Sequence, residues 1–456
     1  MSQKSLLAAV LACASIAGCG SNEPGARGGG LGGGGGSGGG AAGNAPTWHE
    51  DVQPIVARSC ESCHTPGAIA PFPLRSYEEA KPWHAAMRRA VADRTMPPWL
   101  AGDDCNTYLE DPSLTDEEIA ILAAWSEAGA PEGRAVAPAA ASTGAGLDRV
   151  DFELPMPEAY TPQQDPDDYR CFLLEWPASE TSFITGFQAV PGAPTEVHHV
   201  IAFLIEPDLV DDAEALDASE EGPGWPCFAG PGVGSGRSSF HWLGAWAPGS
   251  NGAEFPEGTG LRIEPGSRIA LQIHYNTLTA GAVPDRTKLQ FRVEESVEHE
   301  ALVIPFTSPD WTGSDAMSIP AGEADVKHSW ALPLSLYASF VDGDFSASEP
   351  LLLHAAALHM HELGTKASLR LNREENACVL DIPTWDFHWQ SVFNLAEPMR
   401  VESSDQLRIT CHWDNTAENQ PVVDGERLPP KDVAWGEGTR DEMCLGILYV
   451  TKAPAE

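Results

Sequence analysis

From Val150 to the C-terminus the chain is written in short alternating apolar runs separated by turn residues, and helical periodicity is nearly absent. Arg170 to Leu174, Val197 to Ile205, Ser267 to Tyr275, Leu351 to Leu358, Ala367 to Leu371 and Leu407 to His412 are the clearest runs. A side chain in an extended strand returns to the same face every second residue, so these runs predict half-buried and fully buried strands. Some 300 residues of this kind suit two β-sandwiches or jelly rolls, with a boundary near 295 to 305.

Upstream of Val150 the pattern differs. Lys4 followed by an apolar stretch from Leu6 to Ile16 reads as a secretory signal. Ile16-Ala17-Gly18-Cys19 has the form of a bacterial lipobox, in which Cys19 would be acylated and become the mature N-terminus; an ordinary signal peptide with an incidental Cys is the alternative. Gly20 rather than Asp follows that Cys, so nothing argues for inner-membrane retention. Residues 20–46 are Gly-rich and would form a tether with a reach on the order of 30 Å for roughly 27 residues. No other run is long and apolar enough to span a bilayer. The expectation is an exported lipoprotein facing the periplasm or the cell surface, held to the membrane by its lipid alone.

Residues 47–133 form the first folded stretch. Val52, Ile55 and Val56 have helical spacing and lead into Cys60-Glu61-Ser62-Cys63-His64. Cys-x-x-Cys-His is the attachment sequence of c-type haem: two thiols reach the two vinyl groups and the His supplies an iron ligand. A redox dithiol or half a zinc site are the other readings of such a pair. Met96, set before Pro97 and Pro98, is the expected sixth ligand, with His84 in competition and simple packing as the plain alternative. Thr115-Asp116-Glu117-Glu118 is a capping box that should open a helix running through Trp125 and closing near Gly129 and Pro131. This stretch resembles a small, all-α monohaem cytochrome c domain. Residues 134–148, rich in Ala, Gly and Pro, read as a linker.

Charge excludes some partners. Acidic residues number 66 against 27 basic ones, a net charge of -39, which opposes nucleic acid and anionic substrates. The blander meaning of this acidity is a solvated surface.

Within the β region, His359 and His361 lie one residue apart in a strand-like run, so both rings face one side and offer half of a copper or zinc site. Taken alone, such a pair is as well explained by surface or core-edge histidines. It has company: Glu196-Val197-His198-His199-Val200, Gly244-Ala245-Trp246-Ala247, Phe255 to Gly260, Leu271-Gln272-Ile273-His274-Tyr275, Ser318 to Glu323, His359-Met360-His361-Glu362-Leu363-Gly364 and Asp441-Glu442-Met443-Cys444 occur in that order. Together they resemble the copper type II, ascorbate-dependent monooxygenases, the group of peptidylglycine α-hydroxylating monooxygenase and dopamine β-monooxygenase, over roughly residues 157–450.

The resemblance implies a first β domain at 149–300 and a second at 301–456, two copper ions, O2, an electron donor such as ascorbate or a redox protein, and a small-molecule substrate. It assigns His198, His199 and His274 to an electron-transfer copper, and His359, His361 and Met443 to the catalytic copper that meets O2. Gln272 and His274 share a strand face, but adjacent His198 and His199 would diverge unless the strand bulges or ends there; one ring is then expected to bind through Nδ1 and the other through Nε2. The thioether of Met443 favours Cu(I). The resemblance also implies disulfides Cys171–Cys227 and Cys411–Cys444, leaving Cys105 and Cys378 to pair or stay free. His354, His388 and His412 read as structural.

The sequence departs from the peptide hydroxylase where that enzyme binds its substrate's carboxylate. Ala357 stands where an Arg is expected, and Leu445 and Ile447 stand in place of an Asn and a Tyr. An apolar wall cannot pair a carboxylate, so the expected substrate is an apolar, neutral or cationic molecule other than a peptide. The haem domain, absent from the two animal enzymes, suggests an internal electron supply. An exported electron-transfer or copper-holding lipoprotein without hydroxylase activity is the other function these ligands would serve.

Overall fold

The computed structural model describes residues 45–454 apart from 67–69, 137–145, 229, 235–240, 247–251, 278–280, 313–314, 374–376 and 424. The signal segment, Cys19 and almost all of the Gly-rich tether lie outside the described residues, as does most of the second linker.

Helices dominate only the first stretch. α1 (Gln53–Ser59) follows a single π turn at Trp48–Val52, then come α2 (Tyr77–Ala80), α3 (His84–Ala92) and α4 (Asp116–Glu127). The capping box forms as expected, with the Thr115 side chain accepting from the Glu118 amide and Glu118 reaching back to the Thr115 amide. Beyond α4, Gly129 takes a φ of 83°, a left-handed conformation that stops a helix. Trp48, Val52, Val56, Met87, Leu122 and Trp125 fill the core between these helices.

The rest is mostly β. In chain order the strands are β1 (Phe152–Pro155), β2 (Asp167–Glu175), β3 (Ser182–Val190), β4 (Val197–Ile205), β5 (Trp225–Pro226), β6 (His241–Trp246), β7 (Ala253–Glu254), β8 (Thr259–Ile263), β9 (Arg268–Asn276), β10 (Lys288–Glu294) and β11 (His299–Phe306). There follow β12 (Val326–Pro333), β13 (Leu351–His359), β14 (Gly364–Leu371), β15 (Cys378–Ile382), β16 (Phe393–Val401), β17 (Gln406–Trp413), the β18 (Val422–Val423) and β19 (Glu426–Arg427) hairpin, and β20 (Leu445–Lys452). A five-stranded sheet runs β5-β2-β9-β4-β6, and a four-stranded one runs β12-β17-β14-β15. Between them a nine-stranded sheet runs β1-β10-β3-β8-β11-β20-β13-β16, with β7 on β3.

That large sheet spans both halves of the β region. β11 pairs with β8 on one edge and with β20 on the other. Strand alternation then divides two cores. Leu302, Ile304, Phe306, Ala356, Leu358, Leu448 and Val450 point into the core of the later half. Ala301, Val303, Ala355 and Tyr449, on the opposite face of the same strands, pack with Ile184, Leu261 and Phe291 of the earlier half. Tyr449 also shares a hydrogen bond with Thr259 across that boundary, at 2.8 Å. His359 is on the face of β13 that carries Ala355, so it looks toward the first half.

Three disulfides staple the fold: Cys171–Cys227, Cys411–Cys444 and Cys105–Cys378. The last resolves the open choice for Cys105 and Cys378 in favour of a pair. Among the described residues no helix is long and apolar enough to cross a membrane.

Candidate functional site

His198 and His199 meet His274 because the ladder between β4 and β9 is irregular. The register slips between Val197 and His199, so His199 pairs with His274 while His198 is the extra residue of a bulge. Adjacent side chains that a regular strand would send to opposite faces are thereby brought to one place. A ligand nitrogen from each of the three rings lies within 4.8 Å of the other two. The Nε2–H of His274 donates to Asp167 at 2.9 Å, which leaves Nδ1 as its free atom. That Nδ1, and the Nδ1 of His198, are buried without a hydrogen-bond partner. Buried polar atoms are seldom left so, and two of them in one cluster fit a shared cation. His274 and His198 therefore both present Nδ1, which agrees with one ring of the His198–His199 pair binding through that atom.

Asp167 is the anchor of this cluster. It also accepts from Asn276 at 3.1 Å and from Thr439 at 2.8 Å, a residue of the later half. Burial opposes the charge on Asp167, yet the hydrogen bonds from His274 and Thr439 win and hold it below the usual carboxylate range. The Tyr169 ring stacks on His274 with centroids 4.1 Å apart, and its hydroxyl donates to the Glu437 carbonyl.

The second cluster forms where β13 ends. The Nδ1–H of His359 donates to Gln390 Oε1 at 2.6 Å, and Gln390 Nε2 donates to the Phe387 carbonyl at 2.9 Å, which fixes the amide's orientation. The Nδ1–H of His361 donates to the Asp441 carbonyl at 3.0 Å. Both rings thus turn Nε2 inward, and the two Nε2 atoms face each other at 3.2 Å. Two lone pairs aimed at one point fit a bound metal far better than a direct contact.

Met443 precedes β20. Leu445 pairs with His359 at the end of the antiparallel ladder, and buried Met443 lies two residues before Leu445, on the segment whose Asp441 carbonyl and Glu442 carboxylate bind His361. The carboxylate of Glu442 holds the two together. Fully buried, it accepts from the His361 amide at 2.9 Å, the Leu363 amide at 2.7 Å and the Trp413 indole at 2.8 Å. Burial pushes this carboxyl up to about 7 against those donors. Cys444, next to Met443, is tied to Cys411.

The two clusters adjoin. The rings of His199 and His359 are 6.4 Å apart, and Phe387 stands between clusters with its ring 5.1 Å from His198 and 5.9 Å from His361. Burial is the first cause that holds His198 at about 3, and it holds His199 and His361 well below the ordinary imidazole value. Neutral rings are the form that binds metal.

Two family models match. The copper type II ascorbate-dependent monooxygenase N-terminal domain covers residues 152–281, and the C-terminal domain of the same family covers residues 314–455. The chain belongs to the copper type II, ascorbate-dependent monooxygenase family. A tyramine beta-hydroxylase of Caenorhabditis briggsae is 26% identical over 302 residues, or 62% of this chain and 45% of that one. This monooxygenase-family chain therefore spans under half the length of that curated relative. Among solved structures, PNGF-II has a TM-score of 0.26 at 9% identity, covering 66% of this chain and 65% of its own. The major capsid protein of bacteriophage PM2 has a TM-score of 0.24 at 9% identity, covering 66% and 98%. Neither likeness bears on function.

The Cys60 to His64 motif lies at the end of α1, outside both family domains. Cys60 and Cys63 are free thiols, and burial raises the Cys60 pKa to about 12. The Nδ1–H of His64 donates to the Phe72 carbonyl at 2.9 Å, so Nε2 is its available atom. Phe72 packs 4.8 Å from that ring and stacks on Trp83, which is 40% exposed. An imidazole with its orientation fixed and an aromatic flank beside two unpaired thiols fit a covalent haem. Met96 is half-buried in the loop after α3, while His84 Nδ1 is engaged by Ser126 at 2.9 Å. His354 meets Thr451 and His412 meets Asp325, contacts that suit the structural roles expected of them, whereas His388 lies exposed on the Phe387 loop.

Sequence reasoning missed Asp167, Gln390, Phe387 and the role of Glu442. Only Glu442 carried a signal: a carboxylate between an apolar ladder and a disulfide Cys must be paired.

Proposed function

We propose that this chain is a copper-dependent monooxygenase that hydroxylates a C–H bond of a small, non-peptide molecule. The balance is substrate C–H plus O2, two electrons and two protons, giving substrate C–OH and water. The observation that carries this reading is the pairing of two adjacent but distinct ligand sets. One is all imidazole; the other has two imidazoles facing each other, with Met443 next to the Glu442 whose carboxylate holds His361.

Copper, when bound, supplies one-electron redox chemistry and O2 activation. His198, His199 and His274 would hold the electron-transfer ion, and His359, His361 and Met443 the catalytic one. Asp167 and Gln390 fix the tautomers of His274 and His359, so each ring offers a defined nitrogen before metal arrives. Phe387 keeps the space between clusters apolar.

The substrate reading rests on the wall beside His359. Ala357 pairs with Ile447 and His359 with Leu445 in the β13–β20 ladder. These side chains offer no cation to a carboxylate, so amidated-peptide precursors are not substrates in this account. A neutral or cationic molecule also suits the net charge of -39.

Cys60, Cys63 and His64, with Met96 as the second axial ligand, would hold one haem c whose electrons supplement or replace ascorbate. The described disulfides support an oxidising compartment, in keeping with export and lipid anchoring at Cys19.

The test is copper-loaded protein incubated with candidate amines and neutral aromatics under 18-O-labelled oxygen. One labelled atom in the product, with substrate-dependent O2 uptake, is the expected result. O2 uptake indifferent to every substrate would leave an electron-transfer or copper-holding protein.

A further inference from the structure

The helical stretch meets the β core through a segment that belongs to neither family domain. It runs from Trp99 to Leu109 and begins three residues after Met96. Cys105 is bonded to Cys378 at the start of β15. The Gly102 amide donates to the Asp381 carbonyl at 2.8 Å, and the Tyr108 hydroxyl donates to the Val379 carbonyl at 3.0 Å. On β16, the Leu109 amide donates to Asn394 at 2.8 Å, the Ala396 amide donates to Thr107 at 2.9 Å, and Tyr108 bridges to Leu395. The Trp99 ring sits edge-on to Phe393 at 4.9 Å.

The segment therefore clamps both ends of one loop, residues 383–392, which joins β15 to β16. The interior of that loop touches the histidines. Trp385 donates its indole N–H to the His361 carbonyl at 3.1 Å, and Gln390 holds the His359 ring. Bonded contact is thus almost continuous: Met96 to Trp99 along the chain, a ring contact to Phe393, three residues to Gln390, and a hydrogen bond to His359. Each three-residue step spans at most about 11 Å.

We propose that electrons from the helical stretch enter the β core through Trp99 and Phe393 and arrive at the His359–His361 cluster first, the electron-transfer ion of the three histidines being filled from there across the His199–His359 contact. The inference rests on the haem reading above. In the step, ferrous haem loses one electron and becomes ferric, one Cu(II) at His359 and His361 gains it and becomes Cu(I), and no bond is made or broken; an external reductant restores the ferrous haem. Tunnelling decays less steeply through bonds than across gaps. Phe387, bonded through its carbonyl to Gln390, also reaches His198, but it meets that ring only through space, whereas Gln390 is hydrogen-bonded to the His359 ring. The clamp also makes the donor intramolecular, free of the repulsion that an acidic protein exerts on an anionic reductant.

The experiment uses full-length protein carrying haem and copper. The haem is reduced under anaerobic conditions by one electron from an added flavin photoreductant excited by a light flash, and its ferrous absorbance is followed as the electron leaves. Trp99→Leu should slow that decay at least tenfold, and Trp99→Phe should restore most of it. Copper content, haem content and the rate of copper reduction by ascorbate should match wild type in both. His361→Ala, with copper left only at the three-histidine cluster, should lose the fast phase. An unchanged decay in Trp99→Leu, or a fast phase surviving in His361→Ala, overturns the entry point. Purified protein with no haem spectrum before any flash overturns the haem reading itself, and the two failures are distinguishable.

Discussion

The rings of His199 and His359 lie 6.4 Å apart although they close two different ligand clusters and are carried by β4 and β13. Metal ions held on either side of that contact will sense each other. Stepwise addition of Cu(II), followed by electron paramagnetic resonance, should give a sharp spectrum at the first equivalent. The spectrum should broaden or weaken per copper at the second. A simple sum of two independent spectra would contradict the arrangement.

Asp167 fixes the tautomer of His274 and gathers donors from Asn276 and Thr439 around one carboxylate. Asp167→Asn should weaken copper at the three-histidine cluster by about 10–100-fold, the range typical of lost outer ligand partners. Copper at His359 and His361 should be retained. Competitive titration with a chelator, read at each equivalent, checks the separation of the two effects.

Glu442 accepts three N–H groups from His361, Leu363 and Trp413 inside the core. Glu442→Gln points an amide N–H2 at donors it cannot satisfy. The expected loss is about 3 kcal/mol of stability, seen in denaturant unfolding of the copper-free protein, with weaker binding of one copper only. Unaltered stability would mean that the donors find other partners.

Much of this was legible in advance, and the reasons differ by residue. Strand runs such as Val197–Ile205 and Leu351–His359 follow from local alternation. The bulge at His198 was foreseeable because two adjacent histidines can reach one ion only if the ladder breaks. The partners of the ligands were not: Asp167 is 107 residues from His274, and Gln390 is 31 from His359. No periodicity encodes a contact that only the tertiary fold creates. Docking of Trp99–Leu109 on β15 and β16 was hidden for the same reason, since the Cys105–Cys378 bond closes a separation of 273 residues. The sheet shared through β11 was equally illegible, because a strand's own pattern does not say which edges it will pair.

Acid should loosen the copper-free protein. Burial, and then repulsion from His274, holds His198 at about 3, and His199 and His361 are also held well below their ordinary value. In the unfolded chain these rings take up protons near 6.5. At these three rings the unfolded state therefore binds more protons between about 6.5 and about 3; together they outweigh Glu442, whose raised carboxyl takes its proton in the folded state, so stability falls as pH falls through that window. Scanning calorimetry without copper should show a lower Tm at pH 5 than at pH 7, with the difference reduced in His198→Ala. A Tm that rises on acidification would contradict the neutral, buried cluster.

The central claim is that this chain builds two coordination spheres, one of nitrogen alone and one that includes the sulfur of Met443. X-ray absorption at the copper edge of the reduced, fully loaded protein tests it most directly. The account predicts two coppers per chain and a copper–sulfur contribution that disappears in Met443→Leu while the nitrogen shell of the other copper stays intact. A spectrum without sulfur, or a sulfur contribution indifferent to that substitution, would contradict it.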